Sequence, residues 1–522
     1  MGFIRDVLVA RLFGAGFIAD AFFVAFRIPN LLRSFVAEGA LTSAFVPVFA
    51  EELRGGSERA QAALSSVGSL LLIATAALSA LGVVFAEPIV LLFAPGFGAF
   101  PEKLELCIVL TQIMFPLVIC VSLIALINGA LSSAQIFGAA AWAQVWMNLA
   151  LILGAVIAGQ FLGPTAAIVL ALSVIVGGIL QILTQLPALH RAGFRFEPSR
   201  ALLTPASRQV LTLMIPATLG AAIYQLSIFF NTLLASLLDE GSVAWLFYAD
   251  RLTQLPIGVF TVSLASVVLP MLASAEASGD RDSFGQSLVN SLRYTSFVIL
   301  PLSVGTFILA EPLIKVMFER GAFTAESSMR TAQAVQALSI GLWGASCHSM
   351  VVRAFIARKD PRTPTVVSLI SLILGVFLAI VFMGPPVVPS ASVVTELILG
   401  IQNTLASIGL DISLRHAGLG LASSLSTTIA CGVLLIMLHR RGLGIRWAPF
   451  LVSTGKTVVA STVMAAVLLG CGIQNLPSLF AVLFGSILGG LTFYGAALAL
   501  QMREIQEGVA LLSSTLARIR RR

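Results

Sequence analysis

The sequence predicts an all-α polytopic membrane protein with about fourteen transmembrane helices, arranged as two parallel six-helix repeats plus two C-terminal helices. Three observations lead to this fold class: the composition, the long apolar runs and an internal repeat. Of the 522 residues, 58% are hydrophobic and only 11% are charged, and the mean hydropathy is +1.00. Soluble domains are about 45–50% apolar and about 25% charged. The composition therefore excludes an ordinary water-soluble fold of this length.

The apolar runs predict helices rather than strands. They are long and rich in Leu, Ala, Val and Ile, and about twenty such residues cross a bilayer as a helix. Lipid offers the backbone no hydrogen-bond partner, so a span must be a helix or part of a closed barrel. The predicted spans are centred near Val9, Phe26, Ile73, Pro116, Ile152, Val174, Ile223, Thr261, Ile299, Gly341, Ile373, Thr428, Met464 and Leu488.

The loop charges predict the orientation in the membrane. One alternate set of loops holds Arg54, Arg59, four arginines between 191 and 208, Arg440 and Arg441, and the C-terminal tail is also basic. The opposite, outer set holds fewer basic residues, namely Lys103, Lys315, Arg320, Arg330 and Arg415. The positive-inside rule then places both termini in the cytoplasm. The basic residues form no stripe with interleaved aromatics, so a nucleic-acid partner is not predicted.

An internal repeat indicates a duplicated half-transporter. Arg27 in AFRIPNLL matches Arg251 in ADRLTQLP, and the AEP tripeptide at 86–88 matches the one at 310–312, each at an offset of about 224 residues. An aliphatic run and then a Gly/Phe-rich loop follow each tripeptide, APGFGAF at 94–100 and ERGAF at 319–323. Each repeat holds about six spans, an even number, so the two halves share one orientation and flank a cleft. The repeat predicts an N-terminal lobe at 1–195 and a C-terminal lobe at 205–440. Residues 449–502 hold two extra helices, and 503–522 form a basic cytoplasmic tail.

Charges inside the predicted spans are candidates for a binding site, because each costs roughly 2.5–3.5 kcal/mol at mid-bilayer unless it has a partner. Arginine grips oxyanions with a planar fork, so matching arginines of the two lobes predict an anion site in the cleft. The alternative is that Arg5 pairs locally with Asp6, and Asp250 with Arg251. The charged candidates are Arg5, Asp6, Arg11, Asp20, Arg27, Arg33, Glu38, Asp250 and Arg251.

No pattern predicts an enzyme, a cofactor or a metal site. The four histidines lack metal-ligand spacing, and the sequence has no Walker loop, GxSxG or HExxH motif. The energy source is therefore open between the membrane potential, worth roughly 2.3 kcal/mol per charge per 100 mV, and a monovalent cation.

Three segments carry a family resemblance: RDVLVARLFGAG at 5–16, the stretch from DAFFVAFRIPNLL to FVPVF at 20–49, and FYADRLTQLPIGV at 247–259. They resemble signature segments of the MurJ (MviN) lipid II flippases, in the multidrug/oligosaccharidyl-lipid/polysaccharide exporter superfamily. The resemblance implies two six-helix lobes, and a lipid-tail groove formed by the two extra helices. It also implies transfer of the undecaprenyl-pyrophosphate-linked peptidoglycan precursor across the bacterial inner membrane. The implied partners are lipid II, membrane lipids and cell-wall synthesis enzymes.

The same resemblance implies site residues. Arg5 and Arg251 resemble cavity arginines, Asp20 and Arg33 resemble further polar cavity positions, and the other members come from the same motifs or from the repeat. The predicted substrate-binding residues are Arg5, Asp20, Arg27, Asn30, Arg33, Asp250 and Arg251.

The sequence also departs from the family pattern. The family carries more residues ahead of RDVLVAR, so either the start codon is misassigned or the first span is shortened. Gln254 stands where some relatives have glutamate, and 366–383 holds no Asp, Asn or Glu, so a sodium site in that span is not expected. Residues 385–415 look like an insertion, in which 391–407 is predicted to be a short amphipathic helix on the outer surface.

Two other functions stay open. One is an exporter of another polyprenyl-linked glycan or of a small molecule in the same superfamily. A basic cleft argues against a pump for cationic drugs. The other is a non-transporting scaffold for cell-wall enzymes, which would be indifferent to charge within the cleft.

Overall fold

The computed structural model is helical in all the regular structure of its described residues. The structure describes residues 1–36, 41–387, 393–407, 409, 412–442 and 445–507. Short 3-10 turns at Pro95–Ala99 and Ile473–Asn475 and a π turn at Ile257–Thr261 join some of the helices. The α-helices are α1 (Gly2–Phe13), α2 (Phe17–Val36), α3 (Thr42–Arg54), α4 (Ser57–Val84), α5 (Ala86–Phe93), α6 (Pro101–Met114), α7 (Leu117–Ser133), α8 (Gly138–Ala158), α9 (Pro164–Arg191), α10 (Pro205–Ser236), α11 (Ser242–Pro256), α12 (Val262–Ala277), α13 (Arg281–Ile308), α14 (Ala310–Phe318), α15 (Ala325–Ala357), α16 (Arg362–Met383), α17 (Val393–Ser407), α18 (Arg415–Arg440), α19 (Ala448–Gly470) and α20 (Ser478–Ala499).

The helix lengths confirm the predicted all-α polytopic fold. Within the described residues, eleven helical segments are long and apolar enough to cross a membrane, two of them, Pro101–Ser133 and Ser242–Ala277, being broken helices. The three other predicted centres, Val9, Phe26 and Ile223, fall in α1, α2 and α10. Helix α1 is short, with 12 residues, and α2 carries three charges. Charged residues inside a transmembrane span are rare and usually face a cavity or a charged partner.

The order and spacing of the helices confirm the duplication. Helices of the first half begin about 224 residues before their counterparts in the second half. The turn after the long fourth span also repeats, because Gln135 and Lys359 both have positive φ, at 62° and 57°, which is uncommon for residues other than glycine. The paired first residues are Ser57 and Arg281, Ala86 and Ala310, Pro101 and Ala325, and Gly138 and Arg362.

The chain falls into two compact units. The first consists of Met1–Ala244, Arg320–Thr324 and Pro386–Gly400, and the rest of the chain forms the second. The boundary lies just inside α11, whereas the repeat predicts that the lobes meet between 195 and 205. The two units reflect which residues are in contact in this structure, whereas the lobes reflect the internal duplication. The lobe limits at 1–195 and 205–440 therefore stay a prediction.

The first unit is packed around α3, α4, α7 and α9. Phe45 and Phe49 stack with ring centroids 5.1 Å apart, and the ring of Phe49 meets that of Phe194 at 5.3 Å. The connector from α9 to α10 lies against α4, where the Gln61 amide donates to the carbonyl of Arg195 and accepts from its N–H at 3.0 Å. Helix α2 itself packs mainly against α6, and also against α7 and α10.

The second unit contains a very close helix crossing between α15 and α18. A Cβ placed on Gly341 would lie 2.5 Å from the Cα of Ser424, and one on Gly344 would lie 2.9 Å from the Cα of Thr428. Small residues let helices approach in lipid, where association depends on packing rather than on a hydrophobic driving force. The two glycines therefore set the crossing.

The predicted insertion and tail are only partly described. Helix α17 at Val393–Ser407 corresponds to the short helix predicted at 391–407, and its Val393 and Leu397 are exposed. Its position at the outer surface stays a prediction. Glu38 and residues 508–522 of the predicted tail lie outside the described residues.

Replacing Gly341 by alanine should destabilise the second unit, because the added methyl group would meet the backbone of α18. We expect a loss of about 1–3 kcal/mol, the usual cost of overpacking, measured as a lower midpoint of thermal unfolding in detergent. The matched control is Gly432→Ala in α18, where an added Cβ meets nothing within 4 Å. Equal midpoints for the two variants would contradict the close crossing.

Candidate functional site

A buried carboxylate organises the amino end of α2. Asp20 is 2% exposed and accepts from the Lys103 ammonium at 2.7 Å. It also accepts from the N–H groups of Gly241 and Ala244 at 2.8 and 2.9 Å. The first N–H groups of a helix have no partner within the helix. Asp20 therefore caps the start of α11 and neutralises a buried lysine on α6.

A second carboxylate caps α2 in return. Glu240, just ahead of α11, accepts from the N–H of Phe17 at 2.8 Å, where α2 begins. The two helices occupy equivalent places in the repeat, so each has its amino end capped by a carboxylate at the start of the other. Negative charge at a helix amino end is favoured by the helix dipole. We call Asp20, Lys103, Glu240 and the two helix starts the Asp20 cluster.

Backbone contacts through glycine surround this cluster. Gly14 and Gly321 have φ of 63° and 61°, and a Cβ on them would lie 2.3 Å from the carbonyl oxygen of Ala322 and 2.5 Å from that of Arg11. The N–H of Ala322 donates to the Arg11 carbonyl at 2.9 Å. The end of α1 and the segment Arg320–Thr324 therefore touch backbone to backbone, which only glycine permits.

The first half of the repeat makes the matching contact. A Cβ on Gly96 would lie 1.9 Å from the carbonyl oxygen of Ser236, at the end of α10. The N–H of Gly96 donates to the Ser236 hydroxyl at 3.3 Å. The Gly/Phe-rich loops that the repeat matched, APGFGAF and ERGAF, thus dock in the same way on the first helix of the opposite repeat.

A small cavity lies beside the cluster. Its volume is about 140 Å³, and Lys103, Asp239 and Glu240 are among its lining residues. Ligand pockets usually measure about 300–1,000 Å³. A lipid-linked glycan would not fit there.

Arg5 pairs locally. Its guanidinium donates from Nε and a terminal nitrogen to one carboxylate oxygen of Asp6, at 2.9 and 2.7 Å, and from the other nitrogen to the Asn148 side chain at 3.3 Å. The local pairing considered as the alternative for Arg5 is therefore present. The Arg5 side chain is 17% exposed, and its guanidinium joins α1 to Asn148 of α8.

The C-terminal half of α2 carries the other predicted residues of the first unit. Arg27 donates to the Thr232 hydroxyl on α10 at 2.5 Å, and the Asn30 amide donates to the carbonyl of Phe26 at 3.0 Å. Arg27, Asn30 and Arg33 are all half-buried and follow one another at intervals of three, the spacing of neighbours on a helix surface. They form a basic and polar strip on α2.

The second unit holds Asp250 and Arg251, on α11. Asp250 is exposed and accepts from the amide of Gln254, one turn further along. Arg251 is half-buried, and its guanidinium lies over the ring of Phe247 at 4.9 Å from the centroid, a favourable cation–π arrangement. Gln254, which the sequence analysis singled out, is thus a hydrogen-bond partner of Asp250.

Two members of the Asp20 cluster were missed by the sequence analysis. Lys103 was assigned to an outer loop, and Glu240 was not considered. Lys103 lies 83 residues from Asp20 along the chain, and Glu240 lies 223 residues from Phe17. The only sequence signal was weak: Lys103 is the one lysine in the first three hundred residues.

Known proteins resemble this chain in sequence. The family model described as lipid II flippase MurJ matches residues 9–392 and 389–487. The chain belongs to the MurJ family of lipid II flippases. The lipid II flippase MurJ of Burkholderia cenocepacia is 36% identical over 423 residues, which cover 80% of this chain and 81% of that protein. The probable lipid II flippase MurJ of Rhizobium meliloti is 32% identical and covers 98% of this chain and 94% of that protein.

Solved structures support the MurJ fold. The structure of a lipid II flippase MurJ in an inward closed conformation matches with a TM-score of 0.77 at 24% identity, covering 97% of this chain and 96% of that chain. An inward-facing multidrug resistance MATE family transporter of the MOP superfamily matches with a TM-score of 0.65 at 16% identity, covering 84% of this chain and 93% of that chain. At these identities the likeness concerns the fold alone.

Replacing Asp20 by asparagine should strongly destabilise the protein, because Lys103 would stay buried without a counter-charge. We expect a loss of about 3–5 kcal/mol, typical of a broken buried pair, measured by thermal unfolding in detergent. The double variant Asp20→Asn with Lys103→Met should recover most of that loss.

The control for this experiment is Glu311→Gln. It breaks the Lys315–Glu311 pair, whose side chains are 33% and 49% exposed, and should cost at most about 1 kcal/mol. A loss for Asp20→Asn no larger than that of the control would contradict the role of the buried pair.

Proposed function

We propose that this chain moves lipid II, the undecaprenyl-pyrophosphate-linked peptidoglycan precursor, from the cytoplasmic to the outer leaflet of the bacterial inner membrane by alternating access. The observation that carries the proposal is a pair of half-buried arginines, Arg27 and Arg251, at equivalent positions of the repeat in a chain of the MurJ family. The partners on this proposal are lipid II, the membrane lipids and the cell-wall synthesis enzymes that receive the product.

The chemistry of the substrate supports a basic cavity. A pyrophosphate carries several negative oxygens, and guanidinium forks bind such oxygens in pairs. The proposed lining is Arg5, Arg27, Asn30, Arg33, Asp250 and Arg251. Asp20 belongs to the same proposal as a positioning residue, because both of its oxygens are occupied by Lys103 and by the start of α11.

The Asp20 cluster supports a gate on the outer side. If both termini are cytoplasmic, the alternation of the spans brings the end of α1, the start of α2, the end of α10 and the start of α11 to the outer face. The loops at Pro95–Ala99 and Arg320–Thr324 come to the same face. The crossed caps and the glycine contacts would then close the outer side, and outward opening would separate the start of α11 from Asp20. Lys103 would keep the Asp20 charge compensated in the open state.

Replacing Arg251 by alanine should abolish lipid II transfer without removing the protein from the membrane. The change takes one cation from the proposed pyrophosphate site, and a charge-assisted pair lost in a desolvated site costs about 2–5 kcal/mol, or at least about tenfold in rate. The measurement is the amount of lipid II that an enzyme confined to the outer face can reach, in bacteria whose own flippase has been replaced by this gene.

Two variants control the Arg251 experiment. Arg251→Lys keeps the charge without the fork and should retain part of the activity. Arg191→Ala removes an exposed arginine at the end of α9 and should leave transfer unchanged. Full lipid II exposure by Arg251→Ala would refute the assignment of this residue.

The proposed orientation predicts that Cys471 can be labelled from outside. It is the one exposed cysteine of the five, all of which lie within the described residues, and it follows α19, which would run outward from the cytoplasm. A membrane-impermeant maleimide should label intact cells carrying the protein but not its Cys471→Ser variant.

The matched control for labelling is Ser57→Cys in the Cys471→Ser chain. Ser57 is exposed at the start of α4, on the proposed cytoplasmic side, so it should react only after the cells are made permeable. The reverse labelling pattern would invert the orientation.

A further inference from the structure

A buried ion pair lies close to the start of α19 and just beyond the end of α20. Arg293 on α13 donates from Nε and a terminal nitrogen to one oxygen of Glu504, at 2.9 and 2.7 Å. The two side chains are 10% and 2% exposed. The Ser453 hydroxyl on α19 donates to the same oxygen at 2.6 Å. Three segments that are far apart in the sequence therefore meet at one carboxylate.

The segment that carries Glu504 is anchored along its length. After α20 ends, the chain turns at Gln501, which has a positive φ of 50°, and Met502 and Ile505 are buried against Phe297 of α13. The Tyr294 hydroxyl donates to the carboxylate of Glu507. On α19, the Lys456 ammonium donates to the carbonyl of Leu500 at 2.8 Å, where cations favourably meet the end of a helix. We call residues 502–507 the C-terminal clamp.

The charges of Arg293 and Glu504 matter because lipid alone does little to determine which helices pack together. Apolar helices gain no hydrophobic energy by meeting in a bilayer, so polar contacts select which helices associate. Burial alone would raise the pKa of the Glu504 carboxyl. The hydrogen bonds from Ser453, from the backbone and from Arg293 outweigh burial and hold that pKa below its ordinary value. The pair is therefore ionised at neutral pH, and each member would be costly to leave alone.

The internal repeat shows that this charge is particular to the second half. By the offset of about 224 residues, Ser69 of α4 is the counterpart of Arg293. The Ser69 hydroxyl accepts from the N–H of Ser199, in the connector between α9 and α10, at 2.8 Å. A serine is thus sufficient where a connector crosses the helix. The arginine appears only where the appended helices dock.

We propose that the C-terminal clamp fastens α19 and α20 to α13, and that Glu504 is a positioning residue for transport, so that the appended helices move together with α13. The transport part of this inference rests on the proposed lipid II transfer. The docking part stands on the contacts of Arg293, Ser453 and Glu504 alone.

The test removes the charge and measures docking and transport separately. Docking is read by cross-linking Tyr294→Cys to Glu507→Cys with a short bifunctional thiol reagent, in the Cys471→Ser chain. Transport is read by lipid II exposure in chains without these cysteines. Glu504→Gln should lower cross-linking several-fold and lipid II exposure about tenfold at equal protein in the membrane, because Arg293 loses its counter-charge.

Two further variants keep the test decisive. Arg293→Met with Glu504→Leu removes both charges and should restore cross-linking and transport, since an apolar pair can replace a buried ion pair. Tyr294→Phe, which buries no lone charge, should lower transport slightly even if Glu504→Gln fails to accumulate. The matched control is Glu276→Gln, which breaks the more exposed Arg358–Glu276 pair of the same unit and should change neither readout.

Three results would overturn the proposal: undiminished cross-linking in Glu504→Gln, normal transport in spite of lost cross-linking, or no recovery with the apolar pair. If the unmodified protein exposes no lipid II, the proposed function fails, and with it the transport role of Glu504. The cross-linking results then still decide whether the clamp holds the helices.

Discussion

The fold depends on one constraint, which is that the Asp20 carboxylate has no water to solvate it. A carboxylate that is 2% exposed must be met by donors from the protein. Those donors come from α6 and from the first turn of α11, at separations of 83, 221 and 224 residues. Lys103 supplies the counter-charge, and the two N–H groups of α11 complete the hydrogen bonding of the carboxylate. The requirement therefore fixes three distant parts of the first unit relative to one another.

The same constraint sets how far along their helices the proposed binding residues Arg27 and Arg251 lie from the Asp20 cluster. Arg27 follows Asp20 by seven residues on α2, and Arg251 follows Ala244 by seven residues on α11. Seven residues of helix advance about 10.5 Å. Each arginine thus lies two turns beyond a residue of the Asp20 cluster, along its own helix. The duplication supplied two equivalent helices, and the crossed caps hold their amino ends together.

Hydropathy and repetition were sufficient to predict the helical fold, its spans and the duplicated order of helices, because lipid imposes those features locally. The partners of the charges were not predictable in the same way. The local pair of Arg5 with Asp6 was foreseen as an alternative, since neighbours in sequence are easily weighed. Lys103 and Glu240 were missed because their partners are set by tertiary packing across many spans. Arg27 and Asn30 were predicted as binding-site candidates from their residue types and motifs, whereas the hydrogen bond of Arg27 to Thr232 was not predicted.

Arg293 follows the same physical rule as Asp20 in another part of the chain. In both places a buried charge joins segments that lie far apart in the sequence, and in both its partner lies near a helix end. Lipid tails solvate an apolar helix surface about as well as another helix does, so apolar packing alone does little to determine which helices are neighbours. A buried charge tolerates only the arrangement that supplies its partner. The few charges in the described part of this chain therefore specify which helices meet.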